Sequence, residues 1–88
     1  MTYRVLFSPQ VVRAYRSLPK DMRSRVDGAL EGLGTSPHRG SRIKRLKGLL
    51  RDYYRCRVGN YRILYAISTQ KREVYVDYIQ HRKDVYRR

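Results

Sequence analysis

The chain has 88 residues, which allow one domain with one small core and exclude a second catalytic domain, so we predict a single domain over residues 1–88. Twenty-one Lys and Arg residues against seven Asp and Glu give a formal net charge of +14, which favours a polyanionic partner. A hydrophobic content of 41% with regular apolar patterning argues against disorder.

The N-terminal residues combine a short strand with the start of a helix. Bulky and polar side chains alternate from Tyr3 to Phe7, which predicts a first strand. Ser8 followed by Pro9 is typical of a helix N-cap with proline at the first helical position. Helical spacing continues to about Leu18, and we expect Pro19 to end this helix.

A second helix is predicted from Pro19 or Lys20 to about Leu33. Met22, Val26, Leu30 and Leu33 recur there at intervals of three and four residues. The two helices would form a hairpin, and each apolar stripe is expected to face the core.

Residues Thr35 to Gly48 are predicted to form a loop that enters the core once, around Ile43 and Leu46. Its basic residues include Lys44 and Lys47. They form either a solvated face or an extension of a phosphate-binding track, and we assign Lys44 and Lys47 to RNA binding.

From Arg51 onwards the apolar pattern changes to a period of two. Strands are predicted at about 51–58, 61–68 and 73–79, with Gly59-Asn60 as a two-residue hairpin turn. The expected fold class is α+β, with an N-terminal strand, a helical hairpin and a three-stranded antiparallel meander packed on the helices. A turn or short helix is expected to follow from Gln80 to the C-terminus.

The register of the predicted hairpin brings arginines together. A turn at Gly59-Asn60 pairs Arg57 with Arg62, and paired residues share a face of the sheet. One face is then apolar, and the other carries Tyr53, Arg55, Arg57 and Arg62. We assign Tyr53 and Arg55, like Lys44 and Lys47, to RNA binding. Directly opposed like charges weaken a sheet by roughly a few tenths of a kcal/mol to 1 kcal/mol, and an anionic partner would remove that cost. The alternatives are that these side chains extend separately into water, or that a bulge at Gly59 shifts the register.

Few kinds of catalytic chemistry fit the residues available. Cys56 falls on the predicted core face, and there is no glycine-rich phosphate loop, carboxylate pair or metal-ligand spacing. We therefore expect no metal and no cofactor. Arg, Tyr and His are compatible with attack of an RNA 2′-hydroxyl on its neighbouring phosphate. Clustered arginines would favour a tyrosinate at Tyr86, and His81 offers an imidazole for proton transfer.

The compartment follows from cysteine usage and apolar runs. Cys56 is the only cysteine, so an intramolecular disulfide is excluded. The N-terminus lacks the apolar run of a signal peptide, and no stretch approaches the ~20 apolar residues of a membrane span. We expect a cytoplasmic protein without a membrane partner.

Two segments carry a family resemblance: Tyr54 to Ile67, which reads YRCRVGNYRILYAI, and His81 to Tyr86, which reads HRKDVY. They resemble the RelE/ParE superfamily of bacterial and archaeal toxins, over nearly the whole chain. The resemblance implies a RelE-like fold and, for the RelE branch of type II toxin–antitoxin systems, an endoribonuclease that cleaves mRNA in the A site of the 70S ribosome. It also implies an acidic RelB-like antitoxin, made by the neighbouring gene, as a neutralising partner.

The resemblance also implies roles for individual residues. Tyr86 would activate the 2′-hydroxyl, Arg57 and Arg62 would hold and neutralise the scissile phosphate, and Arg82 would assist the leaving oxygen. Arg55 would add positive potential. The chain has arginine where the best-known members have lysine, and because arginine is a poor proton shuttle, His81 is the reserve candidate for the acid.

Two other functions remain open. ParE-like members share the fold and bind DNA gyrase without chemistry, although they usually lack the full Arg and Tyr set retained here. A plain RNA-binding domain would bind RNA in a salt-dependent way without cleaving it.

Overall fold

A computed structural model describes residues 2–82 and confirms the predicted α+β fold. The two helices are α1 (Pro9–Arg16) and α2 (Lys20–Leu33). The strands are β1 (Arg4–Phe7), β2 (Ile43–Arg45), β3 (Tyr54–Val58), β4 (Tyr61–Ser68) and β5 (Glu73–His81). They form one sheet in the order β1-β5-β4-β3-β2, in which β1 runs parallel to β5 and the other neighbours are antiparallel. The predicted turn or helix beyond Arg82, which includes Tyr86, lies outside the described residues.

The N-cap of α1 ties this helix to the sheet. The Ser8 hydroxyl oxygen accepts a hydrogen bond from the Val11 N–H at 3.2 Å, as the Ser-Pro signal predicts. The same hydroxyl donates to the Asp77 carbonyl at 3.1 Å, and α1 packs against β5. Neither helix within residues 2–82 is long and apolar enough to cross a membrane.

The core lies between the two helices and one face of the sheet. The helices contribute Val11, Leu18, Val26 and Leu33, and the strands contribute Cys56, Val58, Ile63, Tyr65, Val74 and Val76. Tyr65 is fully buried, and its hydroxyl donates to the Pro37 carbonyl at 2.7 Å, so its polar group is satisfied. The predicted apolar face of the hairpin is therefore the core face.

The β3–β4 hairpin has the predicted register. Val58 pairs with Tyr61, Arg57 with Arg62 and Arg55 with Leu64, without a bulge at Gly59. Gly59 has a φ of 59°, a left-handed conformation that glycine adopts without steric cost.

The prediction of a loop over Thr35 to Gly48 was wrong for residues 43–45, which form β2. Ile43 pairs with Cys56 and Lys44 with Arg55, so this short strand supplies hydrogen-bond partners to the edge of β3. Three residues are too few to show a period of two. Strand boundaries differ as well, since β3 begins at Tyr54 after a 3₁₀ turn (Gly48–Leu50), and β5 continues to His81.

A β-bulge interrupts the pairing of β4 with β5. Leu64 pairs with Tyr78 and Tyr65 pairs with Val76, so Asp77 has no partner on β4. The bulge reverses the alternation of side chains along β5. Val74 and Val76 face the core before it, and Ile79 faces the core after it.

Candidate functional site

The face of the sheet opposite the helices, here called the outer face, carries two directly opposed pairs of like charges. Arg57 lies across from Arg62, and Lys44 lies across from Arg55. The second pair arises because β2 extends the sheet beyond β3. Each such pair costs free energy that a bound anion would recover.

The bulge at Asp77 determines which β5 side chains join this outer face. Gln80 pairs with Arg62 across the two strands, and the Arg62 Nε–H donates to Gln80 Oε1 at 3.2 Å. Without the extra residue, Ile79 would take the outward position. The bulge therefore places a hydrogen-bond acceptor where it orients the Arg62 guanidinium.

The residue that follows β5 is hydrogen-bonded to the hairpin turn. The Arg82 N–H donates to the Asn60 carbonyl at 2.6 Å. A groove of about 460 Å³ lies beside these two residues. Its lining consists of Arg55, Arg57, Gly59, Asn60, Tyr61, Arg62 and Arg82. Four of the arginines singled out in the sequence thus surround one space, which we call the arginine groove.

Helix α2 also reaches the hairpin turn. A Cβ added to Gly59 would lie 2.9 Å from Nη1 of Arg25, so the guanidinium of Arg25 rests against the glycine. Arg42, just before β2, is held nearby because its carbonyl accepts from the Arg57 N–H at 3.0 Å. Neither residue was predicted from the sequence. Arg25 follows Met22 by three positions and precedes Val26, so it lies on the flank of the apolar stripe of α2. This helical position is the sequence feature from which its location could have been predicted.

The other predicted site residues lie outside the arginine groove. His81 pairs with Tyr61 on the core side of the sheet, where the two rings meet edge to face with centroids 4.8 Å apart. Lys44 is exposed on the outer face, and Lys47 is exposed before the 3₁₀ turn. Their assignments stay predictions, as does that of Tyr86, which lies outside the described residues.

Tyr53 lies apart from the groove in an acidic setting. Its hydroxyl donates to Asp77 Oδ2 at 2.6 Å. That hydrogen bond, followed by partial burial, raises the pKa of Tyr53 to about 12. Its assignment to RNA binding likewise stays a prediction.

Carboxylates are scarce around these arginines. Within residues 2–82 the ion pair is Arg4 with Glu73 at 3.0 Å, where β1 meets β5. Neither Arg55 nor Arg57 pairs with a carboxylate of that range. Cys56 lies beneath them on the core face, and burial raises the pKa of its thiol, which disfavours the reactive thiolate. Residues 2–82 contain no group of three or more His, Cys, Asp or Glu side chains that could hold a metal ion.

Comparison with known proteins places the chain in a family. Residues 5–86 match the family described as the ParE toxin of the type II toxin–antitoxin system parDE. No curated protein sequence matches the chain.

Several solved structures share the fold. A chain of the archaeal RelE–RelB complex from Pyrococcus horikoshii OT3 is 31% identical, with a TM-score of 0.81 over 93% of this chain and 97% of that one. The toxin–antitoxin complex RelBE2 of Mycobacterium tuberculosis contains a chain that is 28% identical, with a TM-score of 0.83 over 93% and 100% of the two chains. The isolated E. coli RelE toxin, at 22% identity, has a TM-score of 0.77 over 90% and 83% and shows the shared fold. The chain belongs to the RelE/ParE superfamily of type II toxin–antitoxin toxins.

Proposed function

We propose that this toxin is a ribosome-dependent endoribonuclease that cleaves mRNA by attack of a 2′-hydroxyl on the adjacent phosphate. The observation that carries the proposal is the convergence of Arg55, Arg57, Arg62 and Arg82 on one groove. Negative charge builds up on the phosphate oxygens as the 2′-oxygen attacks. Guanidinium groups already in place stabilise that charge and bind phosphate through paired hydrogen bonds.

The four arginines of the groove, together with Tyr86, have separate roles in this reaction. Arg57 and Arg62 hold the scissile phosphate from neighbouring strands, with the Arg62 guanidinium oriented by Gln80. Arg82, fastened beside Asn60, assists the departing 5′-oxygen, and Arg55 adds positive potential. Tyr86 is the base that accepts the 2′-hydroxyl proton.

Proton donation and part of the RNA binding involve residues outside the groove. His81 is the reserve acid at the end of β5, on the Tyr61 side of the sheet. Lys44, Lys47 and Tyr53 extend the RNA contact beyond the groove. Ribosomal RNA would orient the message against these residues, which supplies the alignment that a small protein cannot provide alone.

We further propose an acidic antitoxin as the partner of this toxin in the cytoplasm. The P. horikoshii and M. tuberculosis relatives were solved as complexes with their antitoxins, which supports this inference. A net charge of +14 favours an acidic chain that covers the outer face and neutralises it.

The second candidate function is inhibition of DNA gyrase without nuclease chemistry. It is supported by the matched family, which is described as a ParE toxin. In this case the arginine groove would contact a protein surface or DNA, and none of its residues would act on a reacting bond.

Mapping of RNA 3′ ends after expression of the toxin, with and without its antitoxin, separates the two functions. New ends within translated codons, lost when the antitoxin is present, are expected for the nuclease. Arg62→Ala and Tyr86→Phe should each abolish them, whereas Arg39→Ala, an exposed loop change of equal charge to Arg62→Ala, should not. DNA breaks that depend on gyrase, with intact messages, would overturn the proposal in favour of the second function.

A further inference from the structure

We propose that Arg25 and Arg42 form a second phosphate-binding subsite, which holds the RNA strand next to the arginine groove. The inference that the bound polymer is RNA rests on the proposed function. The subsite itself rests on a separate set of side chains, because neither Arg25 nor Arg42 lines the arginine groove.

The two spaces adjoin each other. A second groove of about 430 Å³ is lined by Arg25, Ser41, Arg42, Arg55, Arg57 and Gly59. It shares Arg55, Arg57 and Gly59 with the arginine groove. A strand whose phosphate lies between Arg57 and Arg62 would therefore continue past Arg57 towards Arg25 and Arg42.

The fold holds these two arginines in place through separate elements. Arg25 projects from α2 against the hairpin turn, where Gly59 leaves room for its guanidinium. Arg42 is fixed through the backbone, because its carbonyl accepts the Arg57 N–H at 3.0 Å. The second groove therefore brings together cations from a helix, a strand and the segment before β2.

Within residues 2–82, carboxylates do not compensate the positive charge around this groove. No carboxylate of that range lines it, and none of Arg25, Arg42, Arg55 and Arg57 forms an ion pair with one. Four guanidinium groups that converge in this way repel one another, and a polyanion removes the repulsion. A single small anion would not span both grooves, whereas successive phosphates of one strand would.

The lining favours a nucleic-acid strand over a peptide. Among residues 2–82, its lining consists of the four arginines, Ser41 and Gly59. The apolar side chains of Ala29, Ile43 and Val58 line an adjoining pocket instead, which shares Arg25, Arg42 and Arg57 with this groove. Protein partners anchor themselves mainly through apolar and aromatic side chains in fitted pockets, which this groove does not provide. Arginine with a hydroxyl is the usual set for the sugar–phosphate backbone.

The test is binding of 2′-O-methyl oligonucleotides, which lack the attacking hydroxyl and so report binding without cleavage. The variant Arg25→Gln/Arg42→Gln is compared with Arg13→Gln/Arg16→Gln, which has the same net charge but changes exposed residues of α1. We expect the first variant to weaken binding of a decanucleotide about tenfold and to reduce the slope of log affinity against log salt by about 1.4, or about 0.7 for each lost phosphate contact. Binding of a dinucleotide, which reaches only one groove, should not change.

Equal affinities of the two variants for the decanucleotide would overturn the subsite, as would a loss confined to antitoxin binding. Circular dichroism establishes that both variants fold, and Arg42→Gln alone repeats the test if the double variant does not. The outcome is separable from the proposed function. If the wild-type protein cuts no message but the two variants differ in decanucleotide binding, the subsite proposal stands and the proposed function fails. If the protein is an active nuclease and the variants do not differ, the subsite proposal fails and the proposed function stands.

Discussion

Arg57 and Arg62 are placed directly opposite each other by the hairpin register, although either could have been a neutral residue on an outward position. Sheet stability would favour a neutral partner for either one. Functional sites often retain such a local cost, and removing it usually stabilises the fold while it harms activity.

We therefore expect Arg57→Gln to raise the free energy of unfolding by about 0.2–1 kcal/mol, since it removes one like-charge pair. The same variant should lose cleavage activity. Urea unfolding followed by circular dichroism measures the first effect. Arg39→Gln lowers the net charge equally from an exposed loop and serves as the control. A stability gain as large in Arg39→Gln would mean that total charge, and not the opposed pair, is responsible.

Two glycines offer a test of backbone geometry with opposite expected signs. Gly59 has a φ of 59° and lies against Arg25, so Gly59→Ala should destabilise the fold by about 1–2 kcal/mol. Gly28 lies within α2 with nothing within 4 Å of an added Cβ, so Gly28→Ala should stabilise it by about 0.4–1 kcal/mol. Thermal unfolding of both variants measures the difference. A neutral Gly59→Ala would show that the turn tolerates a side chain.

Among the elements, those with strong local signals were predictable from the sequence. The Ser8-Pro9 cap, the three- and four-residue spacing in α2 and the Gly59-Asn60 turn each depend on neighbouring residues, and each is found where the sequence indicates. The register of the hairpin followed from the turn length. It brought Arg57 and Arg62 together before any tertiary contact was known.

The elements that were missed depend on contacts distant in sequence. Strand β2 exists because β3 needs hydrogen-bond partners at its edge, and three residues carry no period of their own. Arg25 reaches the site only because α2 packs over the turn. The bulge at Asp77 is indicated locally by one feature of the apolar pattern. Val74 and Val76 are two positions apart and Ile79 is three positions further on, so the alternation with a period of two is interrupted between them.

That bulge yields a prediction about pH. The hydrogen bond to Asp77 raises the pKa of Tyr53 to about 12, above its ordinary value of 10.0. The folded chain therefore holds this proton more tightly than the unfolded chain. The resulting stability is complete below about pH 10 and is lost as the pH rises towards about 12.

We expect Tyr53→Phe to be less stable than the wild type near neutral pH by about 0.5–1.5 kcal/mol, because a hydrogen bond is lost. Between about pH 10 and about 12 its free energy of unfolding should fall less steeply than that of the wild type. Urea unfolding at a series of pH values measures both effects. Parallel curves for the two proteins would show that Asp77 does not control this titration.

At the scale of the whole molecule, a formal charge of +14 is carried by a chain with a radius of gyration of 12.3 Å. The molecule extends over 33 × 30 × 26 Å, so its opposite sides lie more than one Debye length (~10 Å at 0.1 M salt) apart. Repulsion therefore acts mainly between neighbouring charges, and added salt screens it. Two different stabilising effects of anions follow. Screening depends only on ionic strength, whereas binding in the grooves depends on the arginines that line them.

The two effects are separable by melting the protein in chloride and in phosphate at matched ionic strength. We expect Tm to rise with either salt, and to rise further in phosphate because phosphate binds between Arg57 and Arg62. Arg57→Gln/Arg62→Gln should keep the response to chloride and lose most of the excess in phosphate. Arg13→Gln/Arg16→Gln, which has the same net charge, should retain the additional rise in Tm in phosphate. Any additional rise that remains in both variants measures the general effect of phosphate on the burial of apolar surface. If the excess is the same in both variants, phosphate stabilises the protein without occupying the arginine groove.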